Sequence, residues 1–548
     1  MRYKVKMFAW LLCGLFAARA MWAEEGQMIR NPYAGLDWDK VEYMHSMSHQ
    51  HGAAKEVDYL YSRGYRHFPI SNYYPSKPFY PAPEKLMQKY PDAVFAPNAE
   101  QHSCTDINIH WNAVGSFYTT GGRLRAKIVH TNAPFEHVFT EATVYDPDHE
   151  PWRSIYWTDI RFKAMDESEA EVKLTVDGAL AIDRATGQPL PESRIYQRSI
   201  RSVKPIRVVE KPIMLRVMEK NVRVRLDFDP AAVQLKAFSL AQGVQRPWRD
   251  AFSAALDGAL RDGEGKPLEG LQYADGGGIT INHPGLSLAA YLPLLDFDPR
   301  VLGIEVWNDH YPLGGQRGAD MGFYELWDNI LRTGRRCFGF FVNDHQYYGR
   351  GRNVLLVPPM QDLPMAERER NALRAYRQGR FFGLVSAAEQ NASATAPPTP
   401  ECSRFRFTRI AVRRDQQGQP LGLEAAVTGA DPEQRPNLQI RFVTDAGVAR
   451  VMDGVADAYF EFPRDSVGVI TCKYVRVEAF AYPKTHNRGQ PLTAAVITGL
   501  NVYEVSCIND NTGWDDAGKN PPGTVDMIFS QPVMIGAAPT VSAGPVAE

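Results

Sequence analysis

The chain has 548 residues, enough for roughly three domains on a length prior, and its 44% hydrophobic content is ordinary for a globular protein. A net charge of −2 and a pI near 6.7 supply no long-range attraction to polyanions, which disfavours nucleic acid and anionic membrane surfaces as partners.

Arg2, Lys4 and Lys6 precede an apolar run over residues 7–18, and Ala18-Arg19-Ala20 offers a small-x-small cleavage site, with Ala23 as an alternative. This predicts a signal peptide over residues 1–23 and an exported product, periplasmic or extracellular. The run is too short to span ~30 Å of hydrocarbon, and no later segment is apolar enough to form a transmembrane helix. Leu12, not a small residue, precedes Cys13, which argues against a lipoprotein signal. Beyond the signal the cysteines are Cys104, Cys337, Cys402, Cys472 and Cys507. Their number is odd, so at least one is free or pairs between chains; the last three cluster closely enough for one bridge, with the pair left open.

The first chemically informative stretch is Ser48-His49-Gln50-His51-Gly52, between a candidate strand and a candidate helix. Two histidines at i and i+2 of an extended segment point the same way, so both imidazoles can reach one metal ion. Residues 59–65 end helically at Gly64, HFPIS reads as a strand, and Asn72 opens a proline-stiffened loop with Tyr73, Tyr74 and Lys77. After a helical stretch through Leu86, the strand AVFAP leads to Glu100, and INIHWNAVG carries His110. This alternation predicts an α/β barrel or sheet over residues 24–120, with polar residues gathered where strands end.

The rhythm turns to β over residues 121–242. EVKLTVDG puts Val172, Leu174 and Val176 on one face, and VRVRLDF does the same with Val222, Val224, Leu226 and Phe228. An inserted β-sandwich-like module is expected here, because α/β signals resume over residues 243–385. A helix starts at Trp248, GGGITINHPG is a buried strand ending at His283, and VLGIEVWN is another apolar strand. YELWDNILRTG is an amphipathic helix stopped by Gly334, CFGFFVNDH a strand ending at Asp344, and residues 365–378 an arginine-rich helix. Residues 386–401 form a Pro- and Ala-rich linker; RFRFTRIAV, LQIRFV and KYVRVEAF then predict an all-β domain over residues 402–537, closed by IFSQPVMI, with a disordered tail at 538–548.

His49, His51, Glu100 and Asp344 would complete one divalent-metal site, and Glu100, His110 and His283 a second, with Glu100 bridging the pair. Taken singly these residues are ambiguous: His110 reads equally well as a core histidine and His283 as a strand cap, and His45 or His102 could serve as alternative ligands.

The ordered set H-x-H, strand-end Glu, strand-borne His, N-H-P, I-E-V-W-N and a W-D-x-x-L-x-x-G-R helix before a strand-end Asp resembles the PHP (polymerase and histidinol phosphatase) superfamily of metal-dependent hydrolases. The C-terminal stretch is similar to the β domain appended to exported members. The resemblance covers residues 40–115 and 245–365 and implies a distorted (β/α)7 barrel binding zinc, manganese or iron, most often for phosphoester hydrolysis. It implies the ligand set above, with Glu100 and Asp344 as catalytic carboxylates. The family's third-metal motifs are changed here to Ser71-Asn72-Tyr73 and Asp344-His345-Gln346, and the acid or histidine expected after H-x-H falls among Glu56, Val57 and Asp58. All three changes fall on one ion, so two divalent metals are expected, and a phosphodiester, another ester or a glycan-derived compound as substrate. Asn72, Tyr73, Tyr74, Lys77, Arg350 and Arg352 are candidates for the substrate side. The competing expectation is a non-catalytic carbohydrate- or surface-binding protein on a degenerate barrel.

Overall fold

The computed structural model describes residues 28–536 apart from 73–78, 103, 105, 119–123, 127–133, 140–153, 166–169, 178, 181–194, 203–206, 210–212, 218–221, 245, 260, 262–264, 266, 268, 312–322, 346–348, 387–403, 486–490, 501, 503–504 and 506–524. The expected signal and tail, and the linker apart from Ser386, lie outside the described residues.

The protein is mostly β, built from several sheets, and among the described residues no sheet closes into a barrel. The expected (β/α)7 barrel is therefore corrected, and strand direction gives the reason. Parallel neighbours need a crossover of a dozen or more residues. Among the described residues two sets of strands have one: Glu42–Ser46, Tyr65–Phe68 and Val94–Phe95 in one sheet, and Gly278–Asn282, Val301–Asn308 and Phe338–Val342 in another. Glu100–His102 reaches His110–Val114 with no intervening helix, so that pair is antiparallel. Glu42–Ser46 pairs antiparallel with Gly351–Val357, which pairs with Phe381–Val385, which in turn receives Asp526–Ser530 from the C-terminal region. The first sheet thus runs outward to eleven strands, while the second stops at five.

Residues 124–244 supply a four-stranded and a six-stranded sheet, antiparallel throughout. Val172, Leu174 and Leu226 are fully buried there, as the alternation of EVKLTVDG and VRVRLDF requires. IFSQPVMI is two strands, Asp526–Ser530 and Val533–Ile535, with Pro532, which has no N–H to give a ladder, at the break.

Strand Val301–Asn308 is buried at all eight positions, the signature of a strand covered on both faces. A Cβ on its Gly303 would lie 1.9 Å from the Phe338 carbonyl oxygen, so only glycine admits that neighbour. Helix Phe323–Arg332 covers one face of this sheet with Phe323, Leu326, Trp327, Ile330 and Leu331, a 3.6-residue stripe, and Trp327 Nε1 donates to Cys337 O at 2.8 Å. Gln531 ties the two sheets together: its Oε1 accepts from Gly339 N at 2.8 Å and its Nε2 donates to Gly339 O at 2.9 Å. Cys104, Cys337 and Cys472 carry free, buried thiols, while Cys402 and Cys507 lie outside the described residues. Among the described residues no helix is long and apolar enough to cross a membrane.

Candidate metal centre

The two sheets meet at an isolated parallel bridge between Gln50 and Asp344. Asp344 N donates to His49 O at 3.1 Å and His51 N to Asp344 O at 3.0 Å, so the H-x-H segment and the end of strand Phe338–Val342 are held side by side. The ladder continues through Ser71 N to Gln50 O and Glu100 N to Ser71 O, both at 2.9 Å. Asn98 and Asn112 each donate to Ser48 O, at 2.8 and 2.7 Å. This backbone framework brings His49, His51, Glu100, His110, His283 and Asp344 to one place.

Four donor atoms form the first group. His49 Nε2 lies 3.1 Å from His51 Nε2, 3.5 Å from Glu100 Oε2 and 3.3 Å from Asp344 Oδ1; His51 Nε2 lies 2.9 Å from Glu100 Oε2 and 3.4 Å from Asp344 Oδ1. A tetrahedral ion with ligands at ~2.0–2.1 Å has donor–donor edges of ~3.3–3.4 Å, and these five edges scatter about that value. Asp344 Oδ1 is buried and accepts no hydrogen bond, an arrangement that costs free energy unless a cation meets it. The second group is Glu100 Oε1 with His110 Nδ1 at 2.9 Å and His283 Nε2 at 3.4 Å. The two oxygens of Glu100 are thus divided between the groups.

The residues that could hold a metal include a further set, His51, Asp344 and His345. His345 Nε2 stands 3.5 Å from Asp344 Oδ1, and its ring stacks on His51 at 4.2 Å. Glu56 and Asp58 are engaged elsewhere: Glu56 Oε2 accepts from Ala53 N at its own helix start, and Asp58 pairs with Lys89 at 3.0 Å.

Sequence reasoning missed Glu305. It is fully buried in strand Val301–Asn308; its Oε1 lies 2.8 Å from His49 Nδ1, and its Oε2 accepts from His283 N at 2.6 Å and Asn308 Nδ2 at 2.9 Å. A metal on His49 Nε2 requires the proton on Nδ1, and Glu305 is placed to receive it. The available signal was a lone carboxylate inside an apolar strand.

Burial alone would push the His49 imidazole down, but the Asp344, Glu100 and Glu305 carboxylates outweigh it and hold its pKa well above the ordinary value. Burial also opposes protonation of His283, which Glu100 and Glu305 then raise. Burial would raise the Asp344 carboxyl, but it sits below its usual value chiefly because His49 faces it. Three buried carboxylates around these imidazoles therefore demand positive charge, whether proton or cation. His283 and Asp344 are also the two non-glycine residues with positive φ among the described residues, at 22° and 56°, and such backbone costs about 1–3 kcal/mol unless its surroundings enforce it.

The expected substrate-side residues fare differently. Asn72 pins the loop, accepting from Gly52 N at 2.8 Å and donating to Gly52 O at 2.7 Å. Tyr73, Tyr74 and Lys77 lie outside the described residues. Arg350 and Arg352 are buried: Arg350 Nε donates to Ser386 O at 2.8 Å, and Arg352 lies 4.8 Å above the Tyr65 ring. They brace the sheet. His45 faces Arg352 at 3.4 Å, and the side chain of His102 is not among those described. The ring near the second group that sequence reasoning overlooked is Tyr311, 4.7 Å from His283 and 40% exposed.

The fold and site together define a β-rich protein with a buried His/Glu/Asp cluster able to hold metal. No family model matches the chain, and no curated protein matches it. Among solved structures it is similar to a Tobacco streak virus coat protein dimer, with 14% identity and a TM-score of 0.12 over 24% of this chain and 88% of that one. It is also similar to a Paenibacillus cycloisomaltooligosaccharide glucanotransferase complexed with cycloisomaltoheptaose, with 10% identity and a TM-score of 0.13 over 79% of this chain and 44% of that one. Likenesses this weak carry no argument about fold or function.

Proposed function

We propose that the chain is an exported metal-dependent hydrolase, using two divalent ions (zinc, manganese or iron) to cleave a phosphoester, with a phosphodiester favoured over a monoester. The observation that carries this reading is the division of Glu100: Oε2 faces His49 and His51 while Oε1 faces His110 and His283, as a carboxylate shared between two cations must. The order of the ligands along the chain, resembling that of the PHP superfamily, supports it; the β-rich architecture does not enter the argument. Export rests on the basic and apolar pattern of residues 1–23.

Divalent ions held here would supply Lewis acidity and bring the pKa of water toward neutrality. The chain's own part is to fix them. Glu305 orients His49, the Gln50–Asp344 bridge sets the spacing of H-x-H against Asp344, and Asn98 and Asn112 hold the Ser48 carbonyl behind it. The preference for a diester rests on the changed third-metal motifs, Ser71-Asn72-Tyr73 and Asp344-His345-Gln346, since a lost third ion would remove positive charge that a monoester needs. A phosphodiester carries less charge to neutralise than a monoester.

The test is elemental analysis of purified full-length protein together with hydrolysis of bis-p-nitrophenyl phosphate and p-nitrophenyl phosphate in zinc, manganese and iron. About two equivalents of metal are expected, with diester cleavage, both lost in His49→Ala and Asp344→Ala. A protein that takes up no metal, or whose hydrolysis survives both substitutions, overturns the proposal.

A further inference from the structure

A concavity whose lining shares no residue with the metal cluster lies on one face of the eleven-stranded sheet. Tyr43 and His45 share that face of strand Glu42–Ser46, and the cross-strand register aligns His45 with Val354 and Val354 with Phe382. The helix Ala54–Ser62 and the turn after it close one side, and residues 404–406 close the other. The result is a cavity of about 380 Å³, at the lower end of the size range of small-molecule sites, about 300–1,000 Å³.

Its lining is chemically one-sided. Arg63, Arg66, Arg404 and Arg406 all border it, with Tyr43 and Tyr61, and no carboxylate is among the described residues that line it. Two of the guanidiniums are seated on rings: Arg66 lies 3.9 Å above Tyr61, and Arg406 lies 4.5 Å above Tyr43. Stacking holds each planar fork in a set orientation. Arg66 is also anchored through Nε to Asp92 at 2.8 Å, just outside the lining, and through Nη1 to the Tyr61 and Tyr65 carbonyls at 3.1 and 2.8 Å, which leaves Nη2 as its remaining donor. Arg63 is 2% exposed, so the cavity floor is a charge already removed from bulk water. His45 reports the same field: burial first, then the charges of Arg352 and Arg66, push its pKa down to about 3.

We propose that this cavity is a binding site for a small molecule bearing a doubly charged oxyanion, a phosphate or sulfate group gripped by the Arg63, Arg66, Arg404 and Arg406 guanidiniums. An arginine fork can meet a tetrahedral oxyanion with paired donors, which adds orientation to attraction. The Tyr43 and Tyr61 rings provide an apolar wall for the organic part of an ester. The site shares no residue with the metal cluster and does not depend on the hydrolase reading.

The test is isothermal titration of the full chain carrying His49→Ala, so that the metal cluster does not contribute, with inorganic phosphate, glucose 6-phosphate and glucose as probes. Saturable binding of phosphate or glucose 6-phosphate is expected, with none of glucose, and it should weaken as potassium chloride is raised. If glucose 6-phosphate binds more tightly than phosphate the site takes an ester; the reverse order assigns it to the free anion. Arg404 and Arg406 are exposed, so Arg404→Ala/Arg406→Ala should fold normally by circular dichroism and bind at least about tenfold more weakly, with the double lysine variant intermediate. No saturable binding beyond that of chloride at equal ionic strength, or unchanged binding in a folded double alanine variant, overturns the proposal.

Discussion

Replacing Glu305 by glutamine tests whether the buried strand carboxylate orients the metal ligands. All three of its neighbours present donors: His49 Nδ1 at 2.8 Å when Nε2 is kept for a metal, His283 N at 2.6 Å and Asn308 Nδ2 at 2.9 Å. Glutamine keeps the shape but turns one of the two terminal atoms into a donor. If that amide faces His49, the imidazole must move its proton to Nε2 and cease to be a ligand; if it faces His283 and Asn308, a buried donor is left against donors at about 1–3 kcal/mol. Loss of such an orienting partner elsewhere weakens metal binding about 10–100-fold, or ~1.4–2.7 kcal/mol, and the two magnitudes agree. The assay is competition for zinc against a chromophoric chelator, with circular dichroism to show that the fold is retained. Zinc affinity within about twofold of the parent, in a folded variant, would refute the orienting role.

Other outcomes follow from single contacts. His67 is buried beside Ser46 Oγ at 2.7 Å, and burial pushes its pKa down to about 3. Its neutral form is the folded one, so its stabilisation is complete above the unfolded value of about 6.5 and declines as pH falls from there toward 3. His67→Asn should flatten that decline by about 2 kcal/mol between pH 6.5 and pH 5 in urea titrations; parallel curves would contradict the assignment. Arg476 is fully buried and meets Asp328 through three contacts of 2.9–3.0 Å while also pairing with Glu478 and Tyr324. Asp328→Ala should cost about 3 kcal/mol or more in chemical denaturation, and Arg476→Met in that background should recover part of it. Asn72→Ala removes both ties to Gly52 and should weaken zinc binding less than Glu305→Gln does, because it loosens the loop without touching an imidazole; an equal loss would mean that the loop, not Glu305, sets the ligand geometry.

The sequence by itself determined the local chemistry. An H-x-H on extended backbone must present both rings to one side, and Glu100, His283 and Asp344 announce themselves as polar residues after apolar runs, although Glu100 proves to open the strand Glu100–His102 while His283 and Asp344 follow the ends of theirs. Burial patterns in EVKLTVDG, VRVRLDF and VLGIEVWN are likewise carried by neighbouring residues alone. Strand partnership was decided only by the tertiary structure, because a run such as FFGLV at Phe381–Val385 has the same alternation whether its neighbour is parallel or antiparallel, near or far. Its pairing with Asp526–Ser530, more than 140 residues on, sends the sheet outward instead of round, and with it the expected barrel is lost. Glu305 was hidden for the same reason: a carboxylate in an apolar strand acquires a role only when packing sets it against an imidazole from another sheet.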